Sequence, residues 1–367
     1  MNTLGSIFKV SSFGESHGSH VGVVLNGCPA GLSIDLEKIQ TEVDRRKTAR
    51  AQFASSRIEA DIVDIISGVF KNKTTGGPIA ILIRNKDARS KDYDLLEKVY
   101  RPGHADFTNQ LKYGHRDHRG GGRASIRITA AMVAAGEIAR QYLSHVIDSY
   151  RCDAFVSGIG QAQFDTEKVF KSGLSEEHLK KRENSLYNLI DDNFEINVVH
   201  ELDEIIEEKD TLGGAISCLI EGMPLGVGEP IFGKLQAQLG HALFSINTVK
   251  AVEFGRGKEA SRMKGSEHND AFEIRDDVVR TKTNNHGGIL GGISTGERIY
   301  FSAYFKPISS IGKEQQTVDT EGNEVSLEIR GRHDLCAVPR AVPIVEAYSN
   351  IILADLYLKN KLCTLEQ

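Results

Sequence analysis

Five short stretches of the chain are dominated by apolar, β-branched and aromatic residues: HVGVVL at 20–25, IVDIISGVF at 62–70, IAILI at 79–83, AISCLI at 215–220 and RIYFSAYF at 298–305. Their length and composition predict strands. Helical spacing occurs instead at 33–46, 126–145, 201–208 and 231–244, and at 342–359 beginning around Pro343. These elements mix without regular strand–helix–strand alternation, which favours layered α+β architecture over a doubly wound sheet. No repeat of solenoid length and no low-complexity linker interrupts the pattern. The length of 367 residues permits two or three average domains or one large one, and the expectation is a single domain over 1–367. The polar stretch 164–208, with lysines at 168, 171, 180 and 181, is the candidate surface insertion.

Composition narrows the class. Hydrophobic residues at 40% and charged residues at 26% suit a chain with a sizeable core. The longest wholly apolar runs, 130–135 and 351–354, are far shorter than the ~18–20 residues of a membrane helix. The first residues show neither the basic nor the apolar region of a signal or transit peptide, so the expected location is the cytoplasm. Cys28, Cys152, Cys218, Cys336 and Cys363 form no C-x-x-C pair and read as reduced thiols in packed positions. The net charge of −5 argues against a nucleic-acid coat or a membrane-surface role. An RNA-binding module at 115–127 would need stacking aromatics and a basic balance, and it has neither.

Arginine, however, is clustered. Arg45, Arg46, Arg50 and Arg57 form one group, and Arg101, Arg116, Arg119, Arg123 and Arg127 another, each near glycines. Four constellations stand out. In F-G-E-S-H-G at 13–18, glycines flank His17 and would leave its imidazole open to a cleft, although a solvated loop histidine has the same pattern. In Y-R-P-G-H-A-D at 100–106 and K-Y-G-H-R-D-H-R-G-G-G-R at 112–123, glycines and arginines ahead of a helix predict an anion cradle; a basic loop is the plain alternative. His115 and His118 lack the carboxylates of a metal site. In N-H-G-G-I-L-G-G-I-S-T-G at 285–296 a strand follows the glycines, which excludes a dinucleotide-binding fingerprint, while Lys306, Ser309 and Ser310 at the strand end could meet phosphate. In G-R-H-D at 331–334, Arg332 and Asp334 fall on one side of an extended segment, as a salt-bridged pair would. Together these residues describe a site for a small, multiply anionic ligand with proton-transfer groups beside it.

The same motifs, with D-R-R at 44–46, S-G-V-F at 67–70, T-T-G at 74–76, R-S-x-D-Y at 89–93, H-A-L-F-S-I-N at 241–247, G-S-E-x-N-D at 265–270, G-G-I-L-G-G-I-S at 287–294 and K-P-x-S-S at 306–310, run in order along nearly the whole chain and resemble chorismate synthases. The resemblance implies a carbon–oxygen lyase that makes chorismate from 5-enolpyruvylshikimate 3-phosphate by 1,4-anti elimination of phosphate, in aromatic amino-acid biosynthesis. It implies a requirement for reduced FMN without net redox, a sandwich of helices between antiparallel sheets, and a homotetramer. The source of reduced FMN, an external reductase or NADPH, stays open. A hydride-transferring flavin reductase is the alternative within flavin chemistry, and it would oxidise NADPH catalytically.

By the same resemblance, His17 sits near the leaving phosphate as a general acid, His104 beside the flavin's pyrimidine edge, and Asp334 near flavin N5. Arg46, Arg101, Arg127 and Arg332 resemble the substrate-binding arginines, and Ser16 and Ser125 the serines of a proton relay. Flavin contacts would come from Arg123, Ala124, Ser125, Asn247, Thr248, Gly291, Lys306, Pro307, Ile308, Ser309, Ser310 and Arg332. The chain departs from the family where Ala49 replaces a glycine and Gln52 a basic residue, with Arg50 in position to compensate, and where Ala124 and Ile128 replace polar residues.

Overall fold

The computed structural model describes residues 2–47, 60–85, 96–329 and 334–363. Two five-stranded sheets, antiparallel throughout, carry the architecture. The first runs in the order Thr3–Leu4, Lys9–Gly14, His20–Asn26, Ile79–Arg84, Val63–Ser67, and the second Val249–Phe254, Ile299–Phe305, Gly214–Glu221, Arg151–Ile159, Ala162–Gln163. In the first sheet Val21, Val23 and Leu25 stand opposite Ile83, Ile81 and Ile79, and all six are fully buried. The apolar runs read from the sequence thus supply the inward face of this pair of strands, each such side chain contributing roughly 1.5–3 kcal/mol by burial.

The alanine-rich helix Thr129–Val146 packs on His20–Asn26 and Ile79–Arg84, while the C-terminal helix Val338–Asn360 packs on Arg151–Ile159 and Gly214–Glu221. The two helices also pack on each other. Gly136 makes that approach possible, since a Cβ there would lie 2.3 Å from Ala347 Cβ. The α+β expectation therefore holds, with helices and antiparallel sheets sharing one core.

Several elements differ from the sequence reading. The C-terminal helix begins before Pro343 and contains it. A proline inside a helix leaves the carbonyl four residues earlier without its donor; here Asn188 Nδ2 donates to Pro339 O at 3.0 Å and replaces it. By length and composition this helix could span a membrane, which the search for unbroken apolar runs passed over, yet 89% of its most apolar window is buried inside the protein. The stretch 62–70 breaks at Gly68, where φ is +83°, and its pairing with Ile79–Arg84 shifts register between Ile65 and Ser67. The helix expected at 201–208 is the end of a longer one, Asp192–Glu207. Within 164–208, Val169, Leu189, Phe194, Val198 and Leu202 are buried against the sheets. Four cysteines are buried as expected, but Cys363 is exposed.

One long-range tie fixes the first sheet to the helical layer. Asp355 Oδ1, on the C-terminal helix, accepts from the backbone N–H groups of Ser6, Ile7 and Phe8 at 2.9, 2.6 and 3.0 Å. A single buried carboxylate thus satisfies three amides that no strand pairs.

Candidate active site

His17 lies in the turn between Lys9–Gly14 and His20–Asn26. It is placed by Gly120, whose φ of +69° suits glycine and whose missing side chain leaves room, since a Cβ there would lie 2.5 Å from His17 Cδ2 and 3.1 Å from Ser16 Oγ. The Gly120 carbonyl accepts from Arg101 Nη2 at 2.9 Å. The same guanidinium grips Asp106, Nε to Oδ2 at 2.7 Å and Nη2 to Oδ1 at 2.8 Å. Asp106 Oδ1 is also 2.9 Å from His104 Nδ1, and Arg116 Nη1 is 3.5 Å from that oxygen. Burial pushes the Asp106 carboxyl up, but hydrogen bonds from Arg101 and His104, with their charges, outweigh it and hold it well below the usual carboxylate range. His104 Nδ1 also lies 3.0 Å from Arg101 Nη2, so Asp106 and Arg101 together hold this side of the ring, and Nε2 is the nitrogen outside the cluster.

From His104 the network continues. Ser309 Oγ donates to Gly103 O at 2.7 Å and accepts from Lys306 Nζ at 2.8 Å. The Lys306 amide donates to Thr248 O at 2.9 Å, and Thr248 has a φ of +72°, rare for a β-branched residue. Asn247 Nδ2 donates to Ala124 O at 2.7 Å. Burial, then the charge of Lys250, moves the Lys306 pKa below its ordinary value. Ile308 O accepts from Thr211 Oγ1 at 2.7 Å, with Pro307 exposed beside it and Ser310 half-buried.

A second branch leaves the His17 turn through Asn85, whose Nδ2 donates to Gly18 O at 2.7 Å and Glu15 O at 3.1 Å. Asn85 Oδ1 accepts from Arg127 Nε at 2.8 Å. Arg127 then pairs with Asp61, and Asp61 with Arg46 at 3.0 Å. Arg340 Nε reaches Arg46 O at 3.4 Å, and its Nη1 pairs with Asp334. Burial first, and the Arg340 charge second, bring the Arg46 pKa down to about 10. Asp334 is therefore held by Arg340; its expected partner Arg332 lies outside the described residues, as do Ala49, Arg50, Gln52 and Arg57.

Three expected residues are placed otherwise. Arg123 binds the first sheet, donating to Gly14 O, Asn2 Oδ1 and Ser12 O at 3.1–3.2 Å. Ser125 Oγ accepts from Arg127 N at 3.2 Å and caps a short 3-10 turn, Ile126–Ile128. That turn and another at Gly122–Ala124 separate the glycine triplet from the alanine-rich helix, so the triplet does not sit at the helix start. Gly291 lies at the turn of the hairpin pairing Ile289–Leu290 with Ile293–Ser294. The sequence reading missed Asp61, Asn85 and Arg340 and gave Asp106 no role. Only Asp106 carried a local signal, two residues after His104.

Along this network the arginines at 46, 101, 116, 127 and 340 face carboxylates at 61, 106 and 334, so cations are in excess. Such an arrangement can hold a polyanion between two imidazoles. The sequence profile described as Chorismate synthase matches residues 8–358. The chain belongs to the chorismate synthase family. Relatives named Chorismate synthase include those of Cytophaga hutchinsonii, 46% identical over 366 residues and covering 100% of this chain and 99% of that protein, and of Porphyromonas gingivalis, 46% identical over 362 residues, 98% and 96%. A solved structure titled "Crystal Structure of Chorismate Synthase" superposes with a TM-score of 0.76 at 29% identity, covering 95% of this chain and 91% of that one. The chain is accordingly an enzyme of this lyase family.

Proposed function

We propose that the chain converts 5-enolpyruvylshikimate 3-phosphate to chorismate by 1,4-anti elimination of phosphate, with reduced FMN bound and no net redox. The supporting observation is the set of hydrogen bonds and ion pairs that ties His104 to Gly120, against which His17 packs, and the turn carrying His17 to Asp334 through Asn85, Arg127, Asp61, Arg46 and Arg340, with arginines in excess of carboxylates. The substrate carries a phosphate and two carboxylates, and FMN a further phosphate, so each fits the unbalanced positive charge. Lys306, Ser309, Asn247, Thr248 and the Ala124 backbone would hold FMN, and Arg46, Arg101 and Arg127 the substrate. Reduced FMN, when bound, supplies an electron-rich ring that assists departure of the leaving group.

The chain's own residues manage protons and position. His17, against Gly120, gives a proton to the departing phosphate. His104 exchanges protons through Nε2 while Asp106 fixes its ring. Asp334 accepts a proton on its carboxylate, with Arg340 beside it. We further propose a single domain over 1–367, built as a β-α-β sandwich with 164–208 as an insertion, and a cytoplasmic homotetramer. Exposed Phe272, Ile274, Val278 and Val279 on one two-stranded hairpin support assembly. Incubating the purified chain with the substrate and photoreduced FMN under anaerobic conditions tests the reaction by release of phosphate and appearance of chorismate. Turnover of NADPH without chorismate would favour a reductase instead.

A further inference from the structure

Asp61 has no part in the roles above, yet its setting is unusual. It precedes the strand Val63–Ser67 with a φ of +45°, a conformation side-chain-bearing residues seldom adopt. Its side chain is 2% exposed. Oδ2 accepts from Arg46 Nη2 at 3.0 Å, and Oδ1 accepts from Arg127 Nη1. These arginines come from distant elements, Arg46 from the end of the helix Leu36–Arg45 and Arg127 from the turn before the alanine-rich helix. Ile126 O and Asn85 Oδ1 complete their settings at 3.3 and 2.8 Å. Arg46 Nε is buried and has no hydrogen-bond partner among the described residues.

Two buried guanidiniums repel unless an anion lies between them. Strained backbone persists where surrounding structure enforces it, commonly at functional sites. We infer that Asp61 is a positioning residue, the internal counter-ion that holds Arg46 and Arg127 as a preformed pair for recognising the anionic substrate. The Arg46 Nε–H is the donor left over for a carboxylate or phosphate oxygen. Burial favours the neutral form of Asp61, but Arg46 and Arg127 outweigh it and keep the carboxyl below its ordinary range, so the counter-ion is charged at neutral pH. This inference rests on the reading of the site as one for 5-enolpyruvylshikimate 3-phosphate. The plain alternative is an ion pair that only anchors the chain before Val63.

The φ of +45° supplies the test, because glycine tolerates it and Asp61→Gly leaves a carboxylate-sized space between the arginines. With photoreduced FMN, the substrate KM of Asp61→Gly should rise about tenfold to a hundredfold, the scale of a misplaced binding group, with a smaller change in kcat. Sodium formate should restore KM, and neutral formamide of the same size should not. An unchanged KM, or equal recovery with formamide, would overturn the inference. If Asp61→Gly does not fold, Asp61→Asn, which tolerates the same backbone, carries the KM comparison. Should the unsubstituted protein form no chorismate, the reading of the reaction fails separately. Crystals of Asp61→Gly, or of Asp61→Asn, then decide the role of Asp61: displaced Arg46 and Arg127 guanidiniums support it, and unmoved ones refute it.

Discussion

Glu346, on the C-terminal helix, tests how the interior charges are balanced. Its Oε2 is 2.7 Å from Arg45 Nη1, and its Oε1 is 3.3 Å from Arg182 Nη1 and accepts from Ala154 N at 2.8 Å. Burial pushes the carboxyl up, but Arg45 and Arg182, with hydrogen bonds from Arg45 and Ala154, outweigh it and hold it below the ordinary glutamate range. Glu346→Gln keeps the shape and an acceptor for Ala154 but removes the charge beside Arg182, which is 8% exposed and keeps Asp153 at 3.3 Å and the Ala154 carbonyl at 3.0 Å. Arg45 is 25% exposed and retains Glu42 at 2.5 Å, so water and a second carboxylate soften its loss. Breaking a buried pair costs roughly 3–5 kcal/mol when it leaves a charge alone, and the second carboxylate kept by each arginine brings the expected loss to about 2 kcal/mol. Urea unfolding at neutral pH, followed by circular dichroism, measures it. A depressed folded-state pKa gives stability that is present above the ordinary glutamate range and lost as pH falls through the folded value. The difference between the two proteins should therefore shrink on acidification. Glu42 has the opposite sign: burial, its largest influence, raises it, so its contribution is complete at low pH and lost as pH rises through the raised value. Glu42→Gln should consequently cost less than Glu346→Gln at neutral pH. A loss under about 1 kcal/mol for Glu346→Gln, the size of an ordinary substitution, would refute the reasoning. So would a gap that widens in acid.

His17→Ala and His104→Ala should each lower turnover by about 10²–10⁴-fold in the anaerobic assay while leaving the circular dichroism spectrum unchanged; normal rates would make both histidines structural. Gly136→Ala sets helix propensity, which favours alanine by about 1 kcal/mol, against a Cβ 2.3 Å from Ala347 Cβ, and overpacking should win by about 1–3 kcal/mol in thermal unfolding. Asp355→Ala removes the acceptor for three amides, of which that of Phe8 is buried, and should cost about 2 kcal/mol, with hydrogen exchange at Ile7 and Phe8 accelerated; unchanged exchange would sink that account.

The paired strands His20–Asn26 and Ile79–Arg84 were legible because each is a short, nearly unbroken run of apolar and β-branched residues. Arg151–Ile159 was not, because Asp153, Ser157 and Gly158 interrupt its apolar residues. The motif residues were legible where glycines and histidines crowd one loop, as at Gly14–Gly18 and Arg101–Asp106. Asp61, Asn85 and Arg340 were not, because each acts through partners brought close only by folding, such as Arg127, 66 residues from Asp61. The C-terminal helix start was misread because Pro343 normally ends a helix, and the amide that compensates for it sits 151 residues from Pro339.

The tie between Asp355 and Ser6 spans 349 residues. On a ribosome adding about 5–20 residues per second, Ser6 waits roughly 17–70 s before its acceptor exists. Throughout that interval the edge strand Thr3–Leu4 has Lys9–Gly14 beside it but no anchor for the loop that joins them. A polypeptide interrupted before Asp355 leaves the amides of residues 6–8 without this acceptor, an untied segment of the kind on which chaperones and proteases act. Closure of this tie thus separates finished molecules from interrupted ones, and quality control can tell them apart by the exposure of residues 3–8.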